Sequence, residues 1–206
     1  MAYFTKQQMT QFGAAVLAEG GRATNFSNAS LRLNEDAQRG QLPTVPPEPA
    51  PKPPVTLDIF LAHSSLDQVQ VLGIYHFLKR RGYKVYLDKI CDPQLDPALV
   101  TRATARVLRY RLSQCKSLII ATSVNTPEAK WVPWELGFSD GWNGKSAIMP
   151  ILEAAGAVFQ GREYFELCPE VRDAGPNYPY PRDLDIYDNG RFIGNWSDWV
   201  IRPRTF

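Results

Sequence analysis

The segment WVPWELGFSDGW, residues 131–142, holds three of the five tryptophans and a single glutamate, Glu135, with Pro133 two positions before it. A carboxylate in aromatic company can stabilise developing positive charge, and an indole can stack on a planar ligand. The plain alternatives are a surface glutamate in a first helical turn and tryptophans packed in a core. Other residues able to do chemistry are scattered. His63, Ser64 and Ser65 follow an apolar run, where backbone N–H groups could hold phosphate or the serines could simply cap a helix. His63 could contact a ligand or hydrogen-bond backbone. Asp88 ends another apolar run and could orient a ligand or form a turn. Arg102, Arg106 and Arg109 share a helix face that is either solvated or meets an anion or a partner. Nothing near Cys91 in sequence compels reactivity.

The bulk composition narrows the classes. With 206 residues and 44% hydrophobic content, the chain can bury one ordinary core plus attachments. A net charge of +2 gives no electrostatic reason to expect nucleic acid or membrane as a partner. Cys91, Cys115 and Cys168 are widely spaced and odd in number, and His63 and His76 are the only histidines. That composition predicts neither a disulfide framework nor a metal site, and suits a reducing compartment. No apolar run reaches the roughly 18–20 residues of a membrane span, and the first residues lack a signal-peptide core. The expectation is a cytoplasmic protein.

The elements that must position these residues come in four parts. Residues 1–42 form an arm with one short helix, about 5–19, ended by Gly20-Gly21. Residues 43–56 carry PTVPPEPAPKPP, which cannot enter a sheet or a helix interior and reads as an extended spacer, or less simply as a proline-rich ligand. Residues 57–155 alternate. An apolar run at 57–62 is followed by Ser65 and Gln68, which fit a capping box, and by Val71, Ile74, Tyr75 and Leu78 at helical spacing, closed by Gly82. A strand at 84–88, a turn-rich loop at 89–97 and a helix at about 98–113 with Val100, Ala103 and Val107 on one face come next. Strands at 117–123 and 147–152 flank the tryptophan segment. Strands about 30 residues apart with helices between them predict βαβ units and a parallel sheet, with ligands at the carboxyl ends of the strands. Residues 156–206 form an extension expected to pack on this body, with a hairpin at Asn189-Gly190 and with Trp196 and Trp199 as its apolar content.

Taken in order, Asp58-Ile59-Phe60-Leu61-Ala62-His63-Ser64, Leu87-Asp88 before a proline-containing loop, and Trp131-Val132-x-x-Glu135-Leu136 resemble the Toll/interleukin-1 receptor (TIR) domain over about residues 57–152. The likeness is nearest to the bacterial TIR proteins of antiphage defence, the Thoeris-like TIR components. It implies a flavodoxin-like doubly wound parallel sheet. It also implies an enzyme that cleaves NAD+ between nicotinamide and ribose, as a glycohydrolase or an ADP-ribosyl cyclase, with NAD+ as substrate and no further cofactor or metal. Glu135 then maps to the catalytic glutamate and Trp131 to the tryptophan four positions before it, with His63, Ser64 and Asp88 at the strand ends as further substrate-binding candidates. The loop at about 89–97 gates the site, and TIR domains self-associate. A phage-sensing or effector protein is a possible further partner; nucleic acid and membrane are not expected. Nicotinamide in NAD+ is a cationic pyridinium that departs neutral without an acid, so the usual second carboxylate of glycoside hydrolysis is dispensable. Pro133 places a helix start near Trp131, where the helix dipole would hold the Glu135 pKa down and the carboxylate ionised. Trp131 is expected on the substrate, Trp134 and Trp142 in the core. Two other readings compete: a non-enzymatic TIR adaptor, and an enzyme like the nucleoside deoxyribosyltransferases.

Overall fold

The computed structural model describes residues 3–19, 42–48, 51–96, 100–155, 157, 163–173 and 183–203. The most apolar runs of the sequence form its centre. Leu57–Ala62 (β2), Cys115–Thr122 (β4) and Ser146–Leu152 (β5) pair in parallel, with Ala62 opposite Ile120 and Ile120 opposite Ile148. Residues 117–122 and 146–152 are all buried, as strands covered on both faces must be. Val85–Tyr86 (β3) pairs in parallel with the outer side of β2, and Glu170–Asp173 (β6) with β5. The parallel order β3-β2-β4-β5-β6 is the doubly wound plan, with its switch point between β2 and β4.

The chain's two ends enlarge this sheet. Leu184–Asp188 (β7) and Arg191–Asn195 (β8) continue it antiparallel beyond β6. They are joined by Asn189 at φ 46° and Gly190 at φ 75°, the two left-handed residues that a tight hairpin turn requires. The short helix Trp196–Ile201 (α6) follows, capped by Asn195, which accepts a hydrogen bond from the Asp198 N–H. Trp196 is buried, and its Nε1 donates to Ser117 Oγ at 3.0 Å, tying this extension to β4.

At the other end, Phe4–Thr5 (β1) pairs in parallel with Ile151 and Leu152 of β5, and Lys6–Glu19 (α1) follows directly. The helix α1 crosses Gln68–Arg80 (α2) at two glycines. A Cβ on Gly13 would stand 2.1 Å from Val69 O, and one on Gly73 2.2 Å from Met9 O. The two backbones therefore touch where neither has a side chain. The arm's described part belongs to the body; its expected stop at Gly20-Gly21 lies outside the described residues.

Several local expectations are corrected. The capping box does not form: α2 starts at Gln68 after Asp67, and Ser65 and Leu66 make a turn. Asp67 turns its carboxylate instead to Ser123 Oγ and Asn125 Nδ2, at 2.5 and 2.7 Å. After β3 the chain does not run on as strand and loop, because Asp88–Cys91 (α3) winds one helical turn. The helix Arg102–Gln114 (α4) begins at Thr101, whose hydroxyl accepts from the Thr104 N–H. Its buried face is Thr104, Leu108, Arg111 and Leu112, whereas Val100 is 67% exposed and Ala103 is exposed. The proline-rich stretch is no free spacer in its described part. Val45 is buried, and the carbonyls of Pro43 and Pro46 each accept a hydrogen bond of 2.8 Å, from Arg111 and Arg106 of α4.

Candidate active site

Three loops converge at the carboxyl ends of β2, β3 and β4. The tryptophan segment supplies the helix Val132–Trp142 (α5), with Trp131 at its N-cap position and Pro133 in its first turn, where the missing N–H costs nothing. Glu135 also lies in that turn, its N–H donating to Trp131 O at 2.9 Å. The helical period then sorts the segment. Val132, Glu135, Leu136 and Ser139 face inward. Trp131, Trp134, Phe138 and Trp142 run along the flank as a ladder, with successive ring centroids 5.5, 5.8 and 6.0 Å apart. Trp134 is half-buried, but Trp142 is 42% exposed and not in the core as its residue type had suggested.

Glu135, Trp131, His63 and Asp88 line one cavity of about 210 Å³, with Ser65, Lys89, Leu95, Lys130 and Leu108 among its other walls. His63 Nε2 stands 4.0 Å from Asp88 Oδ1. Ser64 is apart from this group: it is buried, and its Oγ accepts from the Leu66 N–H at 3.3 Å. The neighbouring Ser65 reaches the cavity instead.

Glu135 is 6% exposed, and burial pushes its pKa up to about 8, with the negative charge of Asp88 adding to the shift. This reverses the expectation of a depressed pKa. A helix N-terminus favours an anion by roughly 0.3–1 kcal/mol at an exposed site, and loss of water around a fully enclosed carboxylate outweighs that. With its pKa raised to about 8, Glu135 is mostly the neutral acid at pH 7.

The turn of helix α3, which carries Asp88 and Lys89, is anchored from beneath. Asp92 accepts from Arg111 Nε at 2.7 Å, Arg111 Nη2 at 3.0 Å and the Tyr86 hydroxyl at 3.0 Å, and both Asp92 and Arg111 are buried. Across the mouth, the Asp67–Ser123–Asn125 bonds join the turn after β2 to the turn after β4. Sequence reasoning missed this anchoring, and it missed Lys89 and Lys130 as cavity walls. For Lys130 a signal existed, since it sits beside Trp131; Asp92 and Arg111, nineteen residues apart, offered none. Among the described residues no group of His, Cys, Asp and Glu could hold a metal ion, and no helix is long and apolar enough to cross a membrane.

A doubly wound parallel sheet with an enclosed glutamate and a tryptophan at its switch point defines a TIR-type α/β protein. No family model matches the chain. Among curated proteins it is 45% identical over 144 residues, 69% of this chain and 75% of the relative, to "Probable 3' cyclic ADP-D-ribose synthase ThsB'" of Bacillus cereus strain MSX-D12. It is 30% identical over 83 residues, 40% of this chain and 22% of the relative, to TIR2 of Cytobacillus dafuensis, named as a candidate cyclic ADP-D-ribose synthase. The chain belongs to the bacterial Thoeris-type TIR proteins of antiphage defence. Neither relative is named for an adaptor role or for deoxyribosyl transfer.

Proposed function

We propose that this chain cleaves the nicotinamide–ribose bond of NAD+ and closes the remaining ADP-ribose onto one of its own hydroxyls, yielding a cyclic ADP-ribose. The observation that carries the reading is the single buried carboxylate, Glu135, sharing its cavity with Trp131 at the β2/β4 switch point. At about 210 Å³ the cavity is below the roughly 300–1,000 Å³ of sites that enclose a drug-sized ligand. It therefore takes one end of the dinucleotide, the reacting nicotinamide–ribose end, with Trp131 as stacking wall and the adenosine end outside.

Glu135 then passes through two charge states. The pyridinium cation of bound NAD+ favours the carboxylate, so binding expels the Glu135 proton. The C–N bond breaks with its electron pair going to nicotinamide, which leaves neutral. The carboxylate stabilises the oxocarbenium charge left on the ribose carbon. When a hydroxyl oxygen of the same molecule bonds to that carbon, positive charge vanishes and Glu135 regains its high proton affinity. It accepts the hydroxyl proton and returns to the neutral state. One proton is released per turnover, at binding. Water entering in place of the hydroxyl would give linear ADP-ribose, so the split between cyclase and glycohydrolase rests on how well Trp131 and the segment from α3 to residue 96 exclude it.

The reading extends to surroundings. No cofactor beyond NAD+ as substrate is invoked, and the free thiols of Cys91 and Cys115, buried and pushed to high pKa, suit the cytoplasm. Leu66, Val100 and Val124, at 53, 67 and 64% exposure, rim the same pole and support self-association there; a phage sensor or an effector would act through such an assembly. Incubating the purified protein with NAD+ while following nicotinamide and cyclic product tests the function. Absence of both from the assembled wild type, or equal yields from Glu135→Gln, would sink it.

A further inference from the structure

At the opposite pole of the sheet lies a second concavity that NAD+ cleavage does not use. It opens at the amino ends of β4 and β5, a strand length, about 25 Å, from the catalytic cavity. It measures about 410 Å³ and is lined by Lys52, Lys116, Trp142, Lys145 and Arg202, with no carboxylate on its walls. Lys116 is neutralised, its Nζ lying 2.8 Å from Asp58 Oδ1. The other three cations have no carboxylate partner among the described residues.

Lys52 and Arg202 are solvent-exposed and Lys145 is buried, and each has a defined contact. Arg202 donates from Nη1 to Ile193 O at 2.6 Å. Its guanidinium also rests on Gly194, at φ 142°, where a Cβ would come within 2.9 Å of Nη2. The glycine thus makes the space the arginine occupies. Lys145 is only 8% exposed, its Nζ 5.3 Å from the Trp199 ring centroid, and burial together with the Arg202 charge lowers its pKa. The Lys52 ammonium lies 4.5 Å over Trp142. Like charges gathered in one cleft repel each other, and a positioned guanidinium with further N–H groups is suited to phosphate oxygens.

We propose that this cleft is a binding site for a small diphosphate-bearing anion, held by Arg202, Lys145 and Lys52 and separate from the catalytic cavity. The chemistry of recognition is the diphosphate itself, whether free or part of a nucleotide. The proposal is independent of the NAD+ reading, since it uses none of that site's residues.

Calorimetric titration of the full chain at physiological salt, with inorganic pyrophosphate and with adenosine as the phosphate-free control, tests it. Pyrophosphate is expected to bind and adenosine not to. Lys145→Gln/Arg202→Gln should weaken pyrophosphate by about tenfold or more, the loss of charge-assisted hydrogen bonds. Lys52→Gln, a surface change that leaves the fold intact, should weaken it severalfold, and Lys89→Gln/Lys130→Gln at the catalytic mouth should not. In NMR spectra the indole N–H signals of Trp142 and Trp199 should move and that of Trp131 stay. No binding by the wild type, unchanged affinity in Lys52→Gln, or a loss confined to Lys89→Gln/Lys130→Gln with movement at Trp131 would overturn the proposal.

Discussion

Arg111 grips Asp92 through two nitrogens, Nε and Nη2, at 2.7 and 3.0 Å, where both residues are buried. The pair joins α4 to the end of α3, which carries Asp88 and Lys89 into the cavity. The same guanidinium donates to Pro43 O, so it also fixes the proline-rich stretch. Removing one partner leaves an uncompensated buried charge, which costs roughly 3–5 kcal/mol. Arg111→Leu should lower stability by that amount in chemical denaturation and raise KM for NAD+ through the loosened turn. Asp92→Leu/Arg111→Met, which removes both charges, should recover most of the stability and little of the KM.

Glu135 stands at a stability cost. Its pKa is raised from 4.5 to about 8 in the folded protein. Between those values the folded state keeps a proton the unfolded chain has released, so stability falls as pH rises through the window, by on the order of a few kcal/mol. Glu135→Gln removes the titration and should raise Tm, with a gap that widens from pH 5 to pH 8. Thermal scans at pH 5, 6.5 and 8 check this; a gap that stays constant or shrinks would show that burial does not penalise this carboxylate.

Much of this architecture could be read from local pattern. Continuous apolar runs announced β2, β4 and β5, Asn189-Gly190 announced the hairpin, and Gly82, at φ 90°, announced the end of α2. The candidate cavity was legible in part, since His63, Asp88, Trp131 and Glu135 meet in it. What failed depended on neighbours remote in sequence. The inward face of α4 contains Arg111, which helical periodicity of apolar residues cannot reveal because Asp92 is what makes it burial-competent. The Glu135 pKa follows from walls supplied by β2, α3 and α4, none of them in its own segment. Trp142 looked like core by residue type, yet helical register carries it to the flank of α5.

If NAD+ displaces the Glu135 proton as proposed, a pH profile follows. In the folded protein burial pushes the Glu135 pKa up to about 8, and the proposed mechanism uses the carboxylate. The rate constant kcat/KM for nicotinamide release should therefore rise about tenfold per pH unit up to pH 8 and level above it. Bound pyridinium lowers the same pKa, so kcat should level at a lower pH. Initial rates across pH 5.5–9 at low and saturating NAD+ separate the two, and coincident profiles would mean that the substrate's charge does not reach Glu135.

Two glycine-to-alanine changes should act in opposite directions. Gly73 lies in α2 where a Cβ would meet Met9 O at 2.2 Å and Gly13 N at 2.9 Å, both backbone atoms. Gly73→Ala must push α1 away, and should destabilise by about 1–3 kcal/mol. Gly137 lies within α5 with nothing within 4 Å of a Cβ, so Gly137→Ala should stabilise by about 0.5–1 kcal/mol through helix propensity alone. Urea denaturation of both variants decides, and equal effects would mean that the arm does not seat on α2 through these glycines.

The tryptophans of α5 should divide by position and not by type. Trp131 walls the cavity, whereas Trp142, eleven residues on, lies at the far end of the same helix beneath Lys52. Trp131→Ala removes a cavity wall that, on the proposed function, holds the nicotinamide–ribose end and excludes water. It should raise KM for NAD+ at least about tenfold, in line with the 1–3 kcal/mol of a stacked ring. It should also shift the product from cyclic to linear ADP-ribose. Trp142→Ala should leave KM and the product ratio unchanged and cost only stability. Product analysis of both variants at matched turnover measures the division. If Trp142→Ala moved the ratio as Trp131→Ala does, the aromatic ladder would act as one body, and water exclusion would belong to the whole helix instead of the residue at its start.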